Sequence, residues 1–440
     1  MVHRLPPLIV IALSAWASAA PAQNRIDAVA PLAPELASYG SGPVGVRTIH
    51  ATDKNRPDVL NTKEGGPLAR YDRSFTIEVW YPATLAASQT PGGEYKGVVT
   101  RDPAVVVTLR GQAVRDAAPR SQEGGYPLVI VSHGYPGNRY LLSHLGENLA
   151  SKGYVVASID HQDSTYEDQK AFASTLYNRP HDQLFVLNEM ARLGGPVSGM
   201  FLSGLIDAAR TALVGYSMGG YGVINAVGGG FRPGVETLPT APPNALLAER
   251  TAGHKEYPPL PDGRIKAVIA IAPWGMSLGV WDAHGLKGIQ TPLLFVAGSA
   301  DDVSGYEKGT RAMYEAAIHA ERYLLTYVGA NHNAGAPIPA PDETWAARSG
   351  QGPGFTHYAD PVWDTVRMNN ILDHFATAFL GLHLRGDASM RAYLEVVPDG
   401  RDAVFAVDRD GKPLETHTYW KGFKRRTAAG LRFEHLKAMK

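Results

Sequence analysis

Gly215-Tyr216-Ser217-Met218-Gly219-Gly220 is the stretch on which the reading of this chain turns. It matches G-x-S-x-G, a turn that presents a serine between a strand and a helix, and the flanking sequence supplies both elements. Residues 212–215 form an unbroken apolar run, and 218–227 carry a helical pattern. A serine in so sharp a turn needs strained backbone angles, and side chains at positions 215 and 219 would strike the neighbouring strand and helix. Gly220 and Gly222 extend this small-residue surface. They let the helix start close to the sheet and aim its N-terminal dipole at a developing negative charge.

A second match, Gly275-Met276-Ser277-Leu278-Gly279, is the rival. Its strand, 265–272, runs into Pro273 and Trp274, and the residues after Gly279 make a poor helix. Strand counting also favours Ser217, because the acid that serves such a turn normally follows the second strand beyond it. From Ser217 those strands are 265–272 and 293–297; from Ser277 there is only one.

Outward from the turn, apolar runs at 128–132, 155–159, 212–215, 265–272, 293–297 and 323–328 alternate with helical patterns at 141–152, 182–193, 218–227, 307–316 and 366–380. Strands covered on both faces read as continuous apolar runs, so an α/β fold with a mostly parallel central sheet is expected. Upstream, 45–50 and 74–81 read as strands, 91–97 as a Gly-rich turn and 105–109 as β-prone. One domain is expected over 44–390, preceded by a flexible Ala/Pro-rich lead-in at 23–43. An appendage at 391–440 follows, with strand-like runs at 393–397 and 403–407. Two Pro/Gly-rich stretches, 228–262 and 333–362, break the alternation and are expected as insertions over the active site.

Lys plus Arg equal Asp plus Glu at 42 each, with no charged block, so neither nucleic acid nor an anionic membrane is expected as a partner. The chain has no cysteine, which excludes thiol catalysis, disulfides and cysteine-ligated metals. No clustered metal-ligand spacing occurs either, so neither metal nor cofactor is expected. Arg4, the apolar stretch 5–20 and Ala20-Pro21-Ala22 read as an export signal ending at residue 22, which places the mature protein in the periplasm or outside the cell. That run is short for a bilayer and holds Pro6 and Pro7, and no later segment reads as membrane-spanning.

The turn needs a base and an acid, in the chain order Ser, Asp, His. Asp301 lies in Gly298-Ser299-Ala300-Asp301-Asp302 directly after strand 293–297, with Asp302 as its rival. His332, in Gly329-Ala330-Asn331-His332-Asn333, follows the last strand; His357 lies in an insertion and His374 inside a helix. The N–H groups of Met218 and of Tyr135, the latter in Ser132-His133-Gly134-Tyr135-Pro136-Gly137, are the candidate oxyanion donors. His133 and His161 read as loop-shaping or supporting residues. A hydroxyl, an imidazole and a carboxylate in series transfer an acyl group to serine and then to water, so a serine hydrolase of carboxylic esters is expected.

Over 126–384 the chain resembles the dienelactone-hydrolase-like branch of the α/β-hydrolase superfamily, and within it the cutinase-like polyester hydrolases and the platelet-activating-factor acetylhydrolases. The resemblance is carried by Ser132-His133-Gly134-Tyr135, Leu145-Gly146-Glu147, Ala150-Ser151-Lys152-Gly153-Tyr154-Val155-Val156, the serine turn, Ala272-Pro273-Trp274, the stretch from Thr291 to Asp301, and Gly329-Ala330-Asn331-His332. The earlier Glu78-Val79-Trp80-Tyr81-Pro82 is similar to the amino-terminal strand of predicted dienelactone hydrolases. It implies that Tyr135 also lends its ring to an acyl pocket, and that Trp274 is either an aromatic platform for substrate or a packing residue. It implies, too, that the acetylhydrolases' acid position is Pro273 here, leaving the acid to Asp301. Departures matter: dienelactone hydrolases proper use a cysteine nucleophile, and cutinase-like enzymes have an open groove and usually a disulfide near the C-terminus. The two insertions argue for a small or medium soluble ester. Polyester, lipid ester or amide cleavage by the same triad, or a non-catalytic binding protein, are the alternatives; oligomeric state stays open.

Overall fold

The computed structural model describes residues 23–196, 199–255, 257, 261–346 and 354–439, so the expected export signal lies outside the described residues. The strands are β1 (Val44–Pro57), β2 (Arg70–Thr84), β3 (Gly93–Val99), β4 (Val106–Gly111), β5 (Val114–Arg115), β6 (Ala118–Pro119), β7 (Tyr126–Ser132), β8 (Val155–Asp160), β9 (Ile206–Tyr216), β10 (Ile265–Ile271), β11 (Leu293–Gly298), β12 (Arg322–Tyr327) and β13 (Leu431–Leu436). The α-helices are α1 (Ser143–Ser151), α2 (Phe172–Leu193), α3 (Met218–Ala226), α4 (Ala283–Leu286), α5 (Ala312–Ala316) and α6 (Thr365–Arg385).

The central sheet has the order β13-β12-β11-β10-β9-β7-β8-β2-β1-β5. From β8 across to β12 every neighbouring pair is parallel, whereas β2 and β13 close the parallel block with antiparallel pairs. Pleating splits each strand between two cores. On β7, Val129 and Val131 join the layer beneath α1 and α6, while Leu128 and Ile130 join the layer beneath α2 and α3. Both faces are thus covered, as the unbroken apolar runs require.

Four expectations need correction. The Gly-rich 91–97 is not a turn: β3 pairs with β4, and the register slips between Tyr95 and Val98 at Gly97, whose φ is +70°. That glycine marks a bulge inside a strand. The resulting hairpin docks on α1, where Glu147 accepts the amides of Gln112 (2.8 Å) and Ala113 (3.0 Å) and the Tyr95 hydroxyl. Helix α2 begins at Phe172, well before 182, and runs through Pro180. Proline cannot donate to the carbonyl four residues back; the Tyr221 hydroxyl takes that carbonyl, on Leu176, at 2.8 Å.

The lead-in is not loose. Ile26 N–H donates to Arg110 O (2.9 Å), Ala37 is fully buried, and Leu36 N–H donates to His374 Nδ1 on α6 (3.1 Å). The tail's strand is also elsewhere: 393–397 and 403–407 form none, apart from an isolated bridge from Val407 to Pro413. Its paired strand is β13, whose Leu431 and Phe433 point inward and whose Phe433 stacks on Phe375 at 4.3 Å.

Between α2 and the sheet lies a buried charge cluster. Asp182 accepts from Arg73 Nε (2.8 Å) and Nη2 (2.9 Å), from Arg56 (2.6 Å) and from His161 Nδ1 (3.0 Å). Burial pushes the Asp182 carboxyl upward, and Arg73, His161 and Arg56 outweigh it, holding the group well below the usual carboxylate range. Removing one partner of such a cluster strands the others in low dielectric. Asp182→Asn is therefore expected to lower the unfolding free energy by about 3–5 kcal/mol, read as a fallen denaturant midpoint at unchanged slope. A midpoint equal to the parent's would contradict this account of the cluster.

Candidate active site

Ser217 joins β9 to α3 with φ 53° and ψ −112°, a conformation that costs a non-glycine residue on the order of 1–3 kcal/mol. Its neighbours hold it there. Ser217 N–H donates to Ile271 O (2.9 Å), and its carbonyl accepts from Tyr221 (2.9 Å) and Trp274 (3.1 Å). The glycines are required by proximity: a Cβ on Gly215 would lie 2.2 Å from Gly219 O, and one on Gly219 2.0 Å from Ser132 O at the end of β7. One on Gly220 would lie 2.8 Å from Pro273 Cα.

Ser217, His332 and Asp301, far apart in sequence, meet at the C-terminal edge of the sheet, where β9, β11 and β12 deliver them. Ser217 Oγ is 3.0 Å from His332 Nε2, and His332 Nδ1 is 3.0 and 3.1 Å from the two Asp301 oxygens. A carboxylate at Nδ1 selects the tautomer that carries its proton there, so Nε2 is free to accept from the serine. The Asp301 side chain is fully buried, and Oδ1 also accepts the amides of Val303 and Ser304, each at 2.9 Å. Burial raises the Asp301 pKa, but the His332 bond and these amides outweigh it, so the carboxyl stays below its ordinary value. Asp302 is exposed.

Gly134 abuts Ser217, since a Cβ there would lie 3.3 Å from Ser217 Cβ. Tyr135 follows it, and Met218 opens α3, where N–H groups lack helical partners. Among the described residues neither N–H is taken by a protein acceptor. Beside them stand three half-buried rings: Tyr135 and Trp274 each meet Phe172 edge-on at 5.0 Å, and Trp274 meets buried Tyr221 at 6.1 Å. Phe172 escaped the sequence reading because Pro180 hid the first turns of α2. An aromatic two turns ahead of a proline that a helix accommodates was the available signal.

The other candidates are placed elsewhere. Ser277 is exposed in a short 3-10 turn, Met276–Leu278, well away from the elbow geometry. His374 is buried in α6, and His357 pairs with the Tyr166 hydroxyl at 2.8 Å. His133 Nδ1 donates to Gly134 O (2.7 Å), and burial drives its pKa well down. Ser132, His161 and Asp182 form a second hydroxyl-imidazole-carboxylate series, at 2.8 and 3.0 Å, but all three are sealed from solvent. The segment after His332 borders the site: Asn333 donates to Thr356 O and Ala359 O, and Asn331 N–H to Asp360. The first insertion packs on α2 and α3, with Phe231 stacked on Tyr221 and Arg250 donating to Asn225.

Among solved structures, a ferulic acid esterase from Streptomyces cinnamoneus superposes with a TM-score of 0.56 over 83% of this chain and 94% of that one, at 22% identity. The chain has the α/β-hydrolase fold. Within this fold, residues 93–186 match the family model of platelet-activating factor acetylhydrolase, isoform II. The platelet-activating factor acetylhydrolase of Cavia porcellus is 28% identical over 42% of this chain and 43% of its own. Cutinase est2 of Thermobifida alba is 24% identical over 47% and 53%. The chain thus spans about half the length of these curated relatives.

The two carboxylates can be separated by labelling. Asp301→Asn is expected to slow modification of Ser217 by a fluorophosphonate roughly 10³- to 10⁴-fold, through loss of the working tautomer. Asp302→Asn should leave the labelling rate unchanged. The reverse result would exchange their roles.

Proposed function

We propose that this α/β hydrolase is an exported serine hydrolase that cleaves a small or medium carboxylic ester through an acyl-Ser217 intermediate. The observation that carries the reading is the unbroken series from the Ser217 hydroxyl through His332 to Asp301, in a turn flanked by the Tyr135 and Met218 N–H groups, which no acceptor among the described residues takes.

In the first half-reaction His332 Nε2 removes the Ser217 proton as Oγ attacks the ester carbonyl. Asp301, already ionised, stabilises the imidazolium that forms. The carbonyl oxygen, now negative, lies toward the N–H groups of Tyr135 and Met218, and the α3 dipole points the same way. His332 then protonates the leaving alkoxide, and water repeats the sequence to free the acid. Neither metal nor cofactor enters these steps.

The rings of Tyr135, Phe172 and Trp274 form an apolar wall suited to an acyl group. The bordering segment after His332 favours a discrete ester over a flat polymer. The cutinase relatives support polyester cleavage as a second reading. Aryl esters of increasing acyl length, tested beside a polyester film and an anilide, separate these, because specificity resides in the pocket.

Ser217→Ala is expected to lower turnover of the best ester on the order of a millionfold while the fold survives. Retained turnover in that variant would refute the nucleophile. Export predicts that the mature protein begins at Gln23, checked by N-terminal sequencing of the secreted product; an intact Met1 outside the cytoplasm would contradict it.

A further inference from the structure

Helix α2 places Arg179 directly behind the loop that supplies Tyr135. Its side chain is buried, at 1% exposure, yet among the described residues no carboxylate pairs with it. Nearby Asp182 is occupied by Arg73, Arg56 and His161. Among the described residues the acceptors of Arg179 are neutral: the carbonyl of His133, the carbonyl of Gly134 (3.3 Å) and the hydroxyl of Ser164 (2.7 Å). A buried cation without a counter-ion is expensive, and an apolar side chain of the same length would fill the space more favourably. Stability alone does not account for the charge.

The carbonyls it holds do. Gly134 O accepts from both Arg179 and His133 Nδ1, and His133 Nε2 in turn accepts the amide of His161 (3.2 Å), so the imidazole has one fixed tautomer. The Gly134–Tyr135 peptide is trans. In a trans peptide the C=O and the N–H point in opposite directions. Tethering the carbonyl toward α2 therefore turns the Tyr135 N–H away from α2, in a loop whose Gly134 abuts Ser217. We infer that Arg179 is a positioning residue of the oxyanion hole: it aims the Tyr135 N–H by holding the Gly134 carbonyl, and its charge polarises that peptide toward the developing oxyanion. Donors fixed before the reaction cost no reorganisation when the negative charge appears. This rests on the ester-hydrolase reading of the same site.

The test compares the parent, Arg179→Met, Arg179→Lys and Ser217→Ala on a p-nitrophenyl ester and on its thiono analogue, whose sulfur accepts hydrogen bonds poorly. In Arg179→Met, kcat on the oxygen ester should fall roughly 10- to 100-fold with KM nearly unchanged, a smaller loss than deleting a donor outright. The thiono ester should be much less affected, so the oxygen-to-sulfur rate ratio collapses. Arg179→Lys, which keeps the charge and can reach one carbonyl, should recover part of that ratio. If Arg179→Met does not fold, as judged by its melting transition, Arg179→Lys carries the comparison: its ratio must drop below the parent's. An unchanged ratio in the folded variants, whether turnover falls or not, overturns the inference. Activity that survives Ser217→Ala defeats instead the hydrolase reading beneath it.

Discussion

The backbone at Ser217 is the constraint on which the site depends. A serine at φ 53° is unfavourable by itself, so the surrounding structure must over-determine it. It does so by closeness. β9, β7 and the segment after β10 approach α3 until a methyl group at 215, 219 or 220 would fall inside van der Waals contact. The same closeness brings Trp274 N–H onto the Ser217 carbonyl and so ties the cluster of aromatic rings to Ser217. Strain at one residue and shape of the pocket are two consequences of one packing arrangement.

Helix α2 braces that arrangement from behind. Arg179, Asp182 and Gln183 are spaced so that they share one helix face. Gln183 donates to Gly219 O in the elbow (3.1 Å), Arg179 holds the Tyr135 loop, and Asp182 anchors both to β2 through Arg73. Pro180, which would ordinarily weaken a helix, leaves the Leu176 carbonyl without its helical N–H partner, and the Tyr221 hydroxyl takes it, joining α2 to α3.

Much of this was legible in sequence wherever one local rule dominated. Continuous apolar runs marked the parallel strands, because burial on two faces leaves no room for polar residues. The glycines at 215 and 219 marked the elbow, because only close approach demands them there. Reading failed where two rules competed. Gly97 looked like punctuation and is a bulge; the helix read from 182 starts ten residues earlier and carries Pro180 in its interior; the Ala/Pro-rich 23–43 looked loose and is held by partners hundreds of residues away. β13 is short and sits in a polar tail, and its pairing with β12 is a tertiary fact. Phe172 was invisible for the same reason as the first turns of α2. Asp301 and Asp302 are adjacent and chemically identical, so only burial and the reach to His332 distinguish them.

The chain contains two series of serine, histidine and aspartate with nearly equal spacing, and their contrast says what distance leaves out. In the first, among the described residues Asp301 meets no guanidinium at hydrogen-bond range: besides His332 it accepts the amides of Val303 and Ser304. In the second, the charge of Asp182 is already neutralised by Arg73 and Arg56. Burial and the nearby charge of Arg179 push the His161 pKa down to about 3. His161 thus sits among guanidinium groups in the interior, whereas His332 sits beside a carboxylate that amides, not cations, hold in place. Geometry nominates both series. The placement of the cations, far more than the hydrogen-bond lengths, separates the series proposed for chemistry from the one that braces the fold.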